Sequence, residues 1–407
     1  MNRWHRSSCK NPLIVVEEHG PVCETCKSSP DLDSLMVKQA AEKLASGSLP
    51  PDEPQGQYNL WWPSSVPYTT QTPDGGQAPV IRPKQHTSAT RNQQNFIFKQ
   101  TKCIYPESLA SDEFRVLILT PVKDALYPVH VELETCKDDG HPEYETVSYT
   151  WGGEDGDSLA CKPVFMGPYW DVILQTRNCW ELLRHLRPRK GRRTVWVDAI
   201  CINQYDMQER EEQVGKMSRI YQNAFRVVLY LGPDLAPPTS DSSTYPKRRY
   251  LHEFNTLHDS LVLSPDKQSK SSAITLSDLF EREYFRRLWV IQELILSRVI
   301  ALRVGNVEFV SDPLAHQRLE DGSEPTNELF NGSKVPWLRF IMQRVVEDIY
   351  GNDFQAAVEL ARGSHASDPR DLIFGVLGLI RETNGGLTPS KQRFGAVMDA
   401  LVSVQHG

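Results

Sequence analysis

From about residue 113 the apolar positions fall into short runs separated by helical stripes. Residues 114–119 (FRVLIL) make a run of strand length closed by Pro121. Residues 129–133 alternate apolar and polar, and 144–149 (YETVSY) form a third candidate strand closed by Gly152 and Gly153. Cys179, Leu182, Leu183 and Leu186 then share one helical face ahead of Pro188. Residues 194–202 (TVWVDAICI) are almost wholly apolar, as in a strand covered on both faces. Asp206 and Glu209 stand in capping-box spacing at the head of a helix whose buried stripe is Val214, Met217, Tyr221 and Ala224. Residues 225–231 (FRVVLYL) are the next strand. Strand, helix, strand, helix, strand predicts an α/β fold built on a parallel sheet.

The flanks read differently. Residues 1–34 are irregular and hold three cysteines. Residues 35–112 begin with a short apolar stripe (Leu35, Met36, Ala40, Ala41, Leu44) over 35–46 and continue as a Pro-, Gly-, Ser-, Thr- and Gln-rich linker, in which Trp61 and Trp62 offer a surface anchor. The α/β core spans 113–310. Within it 234–275 is polar and loop-rich, 285–296 is a strongly apolar helix, and 299–304 is a strand. Residues 311–407 are expected to be mainly helical, with Asp368, Pro369 and Asp371 opening a helix over 372–380.

Composition narrows the function. A formal charge of −7 gives no general basic surface for nucleic acid. The cluster Arg187, Arg189, Lys190, Arg192 and Arg193 reads as a solvated loop. No apolar stretch is long enough for a membrane helix, and Met1 to His5 lack the apolar run of a secretory signal. Eight cysteines scattered through 407 residues suggest reduced thiols in the cytoplasm or nucleus. Cys9 and the pair Cys23 and Cys26 need one imidazole to complete a tetrahedral zinc site; His5 precedes Cys9 by four residues and His19 precedes Cys23 by four. His19 is the assigned fourth ligand.

The unusual residues are acids in apolar surroundings. Glu293 lies among Phe285, Leu288, Trp289, Val290, Ile291, Leu294, Ile295 and Leu296, where a carboxylate needs a partner, a ligand or a raised pKa. Trp289, one turn earlier, could stack on a base while Glu293 holds a ribose hydroxyl. The alternative is a structural pairing with Arg286. Asp198 interrupts its strand; either Asp198, Asn203, Gln204 and the following helix form the mouth of a site, or Asp198 braces the loop through backbone N–H groups or Arg210. Ser148, Tyr149, Trp151 and Gly152 end the preceding strand. Trp151 reads as a stacking platform or a core plug, and Gly152 permits close backbone approach. Cys201 reads as inert packing. The GxGxxG, Walker, GxSxG and HExxH patterns do not occur.

Four segments together resemble the fungal heterokaryon incompatibility (HET) domain family: YETVSYTWG from Tyr144; VWVDAICINQ from Val195, with Asp206, Glu209, Arg210, Gln213, Met217, Tyr221, Ala224 and Leu231-Gly232; FRRLWVIQE from Phe285; and DPRDLIFGVLGL from Asp368. The resemblance covers roughly 113–380. It implies a flavodoxin-like sheet flanked by helices, distantly similar to Toll/interleukin-1 receptor (TIR) domains. It also implies non-self-triggered cell-death signalling through self-association and another incompatibility protein. Some TIR domains cleave NAD with a glutamate in a Trp-Cys-x-x-Glu-Leu stretch. Here Trp289, Glu293 and Leu294 keep that spacing, with Val290 in place of the cysteine. That makes NAD the implied substrate, Glu293 the implied catalytic carboxylate, and Ser148, Tyr149, Trp151, Gly152, Asp198, Asn203, Gln204 and Trp289 the implied pocket. A non-catalytic interaction scaffold is the other reading.

Overall fold

The computed structural model describes residues 3–18, 20–37, 39, 104–105, 108–122, 124, 126–235, 247–250, 276–304, 307–311, 361, 364–366, 371, 375 and 379. The expected linker over 48–95, with Trp61 and Trp62, lies outside them, as does nearly all of the C-terminal part. Of the helix expected over 35–46, residues 35–37 and 39 are helical, with the helix beginning at residue 32; the rest lies outside the described residues.

Strands β1 (Ile14–Glu17) and β2 (Gly20–Cys23) form a separate antiparallel hairpin. The main sheet takes β3 (Glu113–Leu119), β4 (His130–Lys137), β5 (Glu145–Tyr149), β6 (Ala160–Met166), β7 (Asp171–Thr176), β8 (Arg193–Trp196), β9 (Arg226–Tyr230), β10 (Lys247–Tyr250), β11 (Ile300–Val304) and β12 (Val307–Ser311). Their order is β10-β12-β11-β9-β5-β8-β3-β4-β6-β7. The sheet is mixed, which corrects the expectation of a simply parallel one. Parallel pairing runs through β8-β5-β9-β11, while β3 is antiparallel to both its neighbours. In chain order the four parallel strands sit second, first, third, fourth.

Helices α1 (Arg177–Leu186), α2 (Asp198–Cys201), α3 (Met207–Asn223), α4 (Leu276–Phe280) and α5 (Leu288–Ile295) cover the sheet. Thr176 caps α1, accepting from the Cys179 N–H at 3.2 Å, and Cys179, Leu182, Leu183 and Leu186 are buried as the stripe predicts. Asp206 caps α3 through the N–H groups of Gln208 and Glu209, each at 3.1 Å. The expected capping box is half made: the Glu209 carboxylate turns away to accept the Asn203 N–H at 2.7 Å and to pair with Arg115 at 2.6 Å. Arg115 lies among the apolar residues 114–119 of β3 and is 3% exposed, so this acid is the partner it needs.

The hairpin β6–β7 is absent from the periodicity reading. Pro163 interrupts β6, which lowers its strand signal. The supposed basic loop is also divided. Arg187 is buried and donates to the Tyr127 carbonyl at 2.6 Å, and Arg193 donates to Glu145; Arg189, Lys190 and Arg192 are exposed. No helix among the described residues is long and apolar enough to cross a membrane.

Candidate active site at the carboxyl end of strand β5

Strand β5 is buried from Thr146 to Tyr149 and leads into the Thr150–Gly156 loop. Gly152 is required there because a Cβ would stand 2.7 Å from the Gly156 carbonyl carbon. The close approach foreseen at Gly152 is therefore made by its own loop.

Opposite β5 lies α5. The chain does not run as one helix over 285–296. A 3₁₀ turn (Glu283–Arg286) is followed by α5, and the break rotates Arg286 outward, where it pairs with Glu283 at 3.0 Å. The structural Glu293–Arg286 pairing is thereby replaced. Glu293, 6% exposed, instead accepts the Ser148 hydroxyl. Ser148 Oγ is also 2.5 Å from the Tyr284 hydroxyl, so Tyr284, Ser148 and Glu293 form a relay of oxygens. Tyr221 of α3 lies against the same carboxylate and donates to the Val147 carbonyl at 3.1 Å. The neighbouring cation is Arg287, which donates to the Tyr149 carbonyl at 2.5 Å. Burial pushes Glu293 up to about 7, against the downward pull of the Arg287 charge and the Ser148 bond; the Asp198 charge adds to the rise. An acid poised there can hold or release a proton near neutral pH.

Asp198 is not mid-strand. Strand β8 stops at Trp196, and Asp198 is the first residue of the single-turn helix α2, at the same end of the sheet as Tyr149. It accepts the Trp151 indole N–H at 2.9 Å and the Ala199 N–H at 2.8 Å. Arg210, the other partner considered, is exposed on α3. Burial raises the Asp198 pKa, opposed by the Trp151 bond and by Arg287. Trp151 is 38% exposed, so it stands at the rim and does not plug the core.

Of the other expected pocket residues, Gln204 donates to the Asp198 carbonyl at 2.9 Å. Asn203 is drawn away, its N–H to Glu209 and its side-chain oxygen to the Tyr205 N–H at 3.3 Å. Trp289 donates to Asp371 at 3.1 Å. The helical residue Gly375 packs so closely on Leu288 that a Cβ would meet it at 2.9 Å, so Gly375 and Asp371 both lie against the first turn of α5. Cys201 is buried and its sulfur accepts the Val197 N–H at 3.3 Å, consistent with packing. Tyr284 and Arg287 were not foreseen; the tandem Arg286-Arg287 was the available signal, but only the 3₁₀ turn decides which arginine faces the acid. In the N-terminal segment Cys9, Cys23 and Cys26 converge with His5, the other histidine at that spacing; His19, the assigned fourth ligand, lies outside the described residues.

Residues 144–293 match the family model described as Heterokaryon incompatibility protein (HET). That span begins one residue before β5 and ends on Glu293. Among curated proteins, heterokaryon incompatibility protein 6, OR allele, of Neurospora crassa is similar to this chain: 28% identical over 218 residues, covering 46% of this chain and 32% of that protein. The chain thus aligns with about a third of that relative's length. No solved structure matches.

Proposed function

Residues 144–293 are a heterokaryon incompatibility (HET) domain, and on that premise we propose that the chain acts in incompatibility-type signalling, triggering cell death on non-self recognition. In this reading it works in the cytoplasm, self-associates through the HET domain and meets another incompatibility protein. Its chemical output is cleavage of NAD. The observation that carries the enzymatic part is the placement of Glu293: a buried carboxyl, pushed up to about 7, lying against Ser148 of β5.

The strand order second, first, third, fourth supports a flavodoxin-like and hence TIR-like frame. Ligands of such sheets sit beyond the carboxyl ends of the strands where the order reverses, here between β5 and β9. Asp198, Trp151 and Arg287 stand at that end. In the proposed reaction the bond between the ribose C1′ and the nicotinamide nitrogen breaks, and nicotinamide leaves with the bonding pair. Glu293 as carboxylate stabilises the positive charge left on the ribose, and a water oxygen then bonds C1′ as its proton is released. Arg287 is suited to a diphosphate oxygen, and Trp151 to stacking on a ring.

Purified, assembled chain should release nicotinamide from NAD, and Glu293→Gln should lower the rate ~100-fold or more. Equal rates in the two proteins, both folded, would remove Glu293 from the chemistry. A second reading is favoured by one observation: Ser148 already satisfies Glu293, which is 6% exposed, so the cluster would be a sealed polar core of a non-catalytic scaffold. On that reading Glu293→Gln changes stability and leaves NAD untouched.

A further inference from the structure

The side chains of His5, Cys9, Cys23 and Cys26 each present a ligand atom within 4.8 Å of all the others. Two edges of this group are 3.9 Å (Cys9 Sγ to Cys23 Sγ) and 3.5 Å (Cys26 Sγ to His5 Nδ1). A tetrahedral zinc with Zn–S of ~2.3 Å and Zn–N of ~2.0 Å needs edges of roughly 3.5–3.8 Å. The two edges are close to that range, and both are far too long for a disulfide, ~2.05 Å.

The backbone is arranged to hold them. Strand β2 delivers Cys23, and the chain turns tightly so that the Lys27 N–H bonds the Cys23 carbonyl at 2.7 Å, with Lys27 at φ 55°. Thr25 ties the turn to the approaching strand through Leu13 N–H at 3.2 Å and the Asn11 carbonyl at 3.0 Å. His5 Nε2 lies 2.8 Å from the Tyr169 carbonyl. A carbonyl can only accept, so Nε2 carries a proton, and in the neutral ring Nδ1, on the sulfur side, is the nitrogen with the lone pair. Fixing the tautomer from behind in this way is what metal-bound imidazoles use. His5, Cys23 and Cys26 are buried, and Cys9 is partly buried.

We propose that His5, Cys9, Cys23 and Cys26 bind one zinc ion, and that this zinc fastens the N-terminal segment to the β6–β7 hairpin at the edge of the main sheet. His5 links the two functions, because the residues around it dock on the turn of that hairpin. Trp4 donates to the Trp170 carbonyl at 2.8 Å, Arg3 forks onto Asp171 at 3.0 and 2.9 Å, and the Tyr169 hydroxyl donates to the Lys10 carbonyl at 2.6 Å. Trp4, Leu32, Leu35 and Met36 pack on Phe165, Val172 and Leu174 as a small second core. An N-terminal piece this short buries too little apolar surface to order itself, and a metal supplies the missing constraint.

The test uses the full chain purified without added metal. Elemental analysis should give one zinc per chain. Cys23→Ser/Cys26→Ser should lose it, and His19→Ala should keep it. His5→Cys, which substitutes one zinc ligand for another, should also keep it. Removing zinc with a chelator should speed tryptic cleavage after Lys10 and Lys27 severalfold, and re-adding zinc should reverse this. The main sheet in Cys23→Ser/Cys26→Ser is checked by its cooperative melting. Absence of zinc together with no uptake on titration would overturn the proposal. So would full zinc retention in the double serine variant, loss of zinc on His19→Ala, or tryptic cleavage indifferent to the metal.

Discussion

Strand β5 carries an acid site at each end, and the two are built in opposite ways. At its amino end Glu145 is clasped by Arg193 and Arg226, each at 2.5 Å, and Arg226 continues to Glu308 at 2.9 Å. Burial alone would raise the Glu145 pKa, but the two guanidinium groups outweigh it and hold the carboxyl below its ordinary value. At the carboxyl end Glu293 has hydroxyls for partners, and the nearby cation Arg287 spends its hydrogen bond on the Tyr149 carbonyl. There burial wins. The lesson is that an ion network fixes a charge and ties strands together, whereas a carboxyl ringed by hydroxyls keeps a proton that can move. The first arrangement suits architecture and the second suits chemistry.

The largest effect is expected at the architectural end. Glu145→Gln leaves Arg193 with the Leu186 carbonyl but no acidic partner, and Arg226 with Glu308 as its one acid, and should destabilise the chain by ~3 kcal/mol or more, read as a lower urea midpoint with an unchanged slope. Glu293→Gln should do the opposite at alkaline pH. A carboxyl whose folded pKa is raised from 4.5 to about 7 contributes fully below pH 4.5 and loses that contribution as pH climbs through 7. At pH 8 the wild type therefore carries a penalty of up to ~3 kcal/mol that the glutamine variant lacks. The variant should melt as high or higher at pH 8, with the difference vanishing near pH 5.

Ser148→Ala comes next. It strips both Tyr284 and Glu293 of a buried partner, for a loss of ~1–3 kcal/mol in unfolding free energy. The smallest change in stability should come from Arg287→Met. Its signature is a direction: without the cation, Glu293 titrates at higher pH, and any rate-versus-pH inflection moves to the alkaline side. Acid sharpens the contrast from the other end. Glu145 stabilises above its ordinary range, and that contribution is lost as pH falls through its depressed folded value, so the acid limb of the melting curve should flatten in Glu145→Gln.

Much of this was legible in the chain because one physical rule governed it. Strands β3, β5 and β9 are buried runs that match 114–119, 144–149 and 225–231 closely, and the stripes of α1 and α3 face the core as their spacing requires. The acid in the apolar helix and Ser148 were also readable as residues out of place, and they meet. What could not be read depends on contacts distant in sequence. TVWVDAICI is equally apolar as strand or helix, and only the end of β8 at Trp196 makes Asp198 a helix start. His5 and His19 sit at the same spacing from a cysteine; Tyr169, 164 residues away, is what fixes His5. Asn203 looked like a mouth residue until Arg115, 94 positions from Glu209, drew that acid and its loop aside.

The central claim is that the two ends of one strand tune their acids in opposite senses, leaving Glu293 able to exchange a proton near neutrality. Carboxyl-labelled glutamate followed by nuclear magnetic resonance across pH measures this directly. One resonance should titrate at about 7 and be missing from Glu293→Gln. A spectrum in which the Glu293 resonance titrates at or below the ordinary ~4.3 would contradict the account.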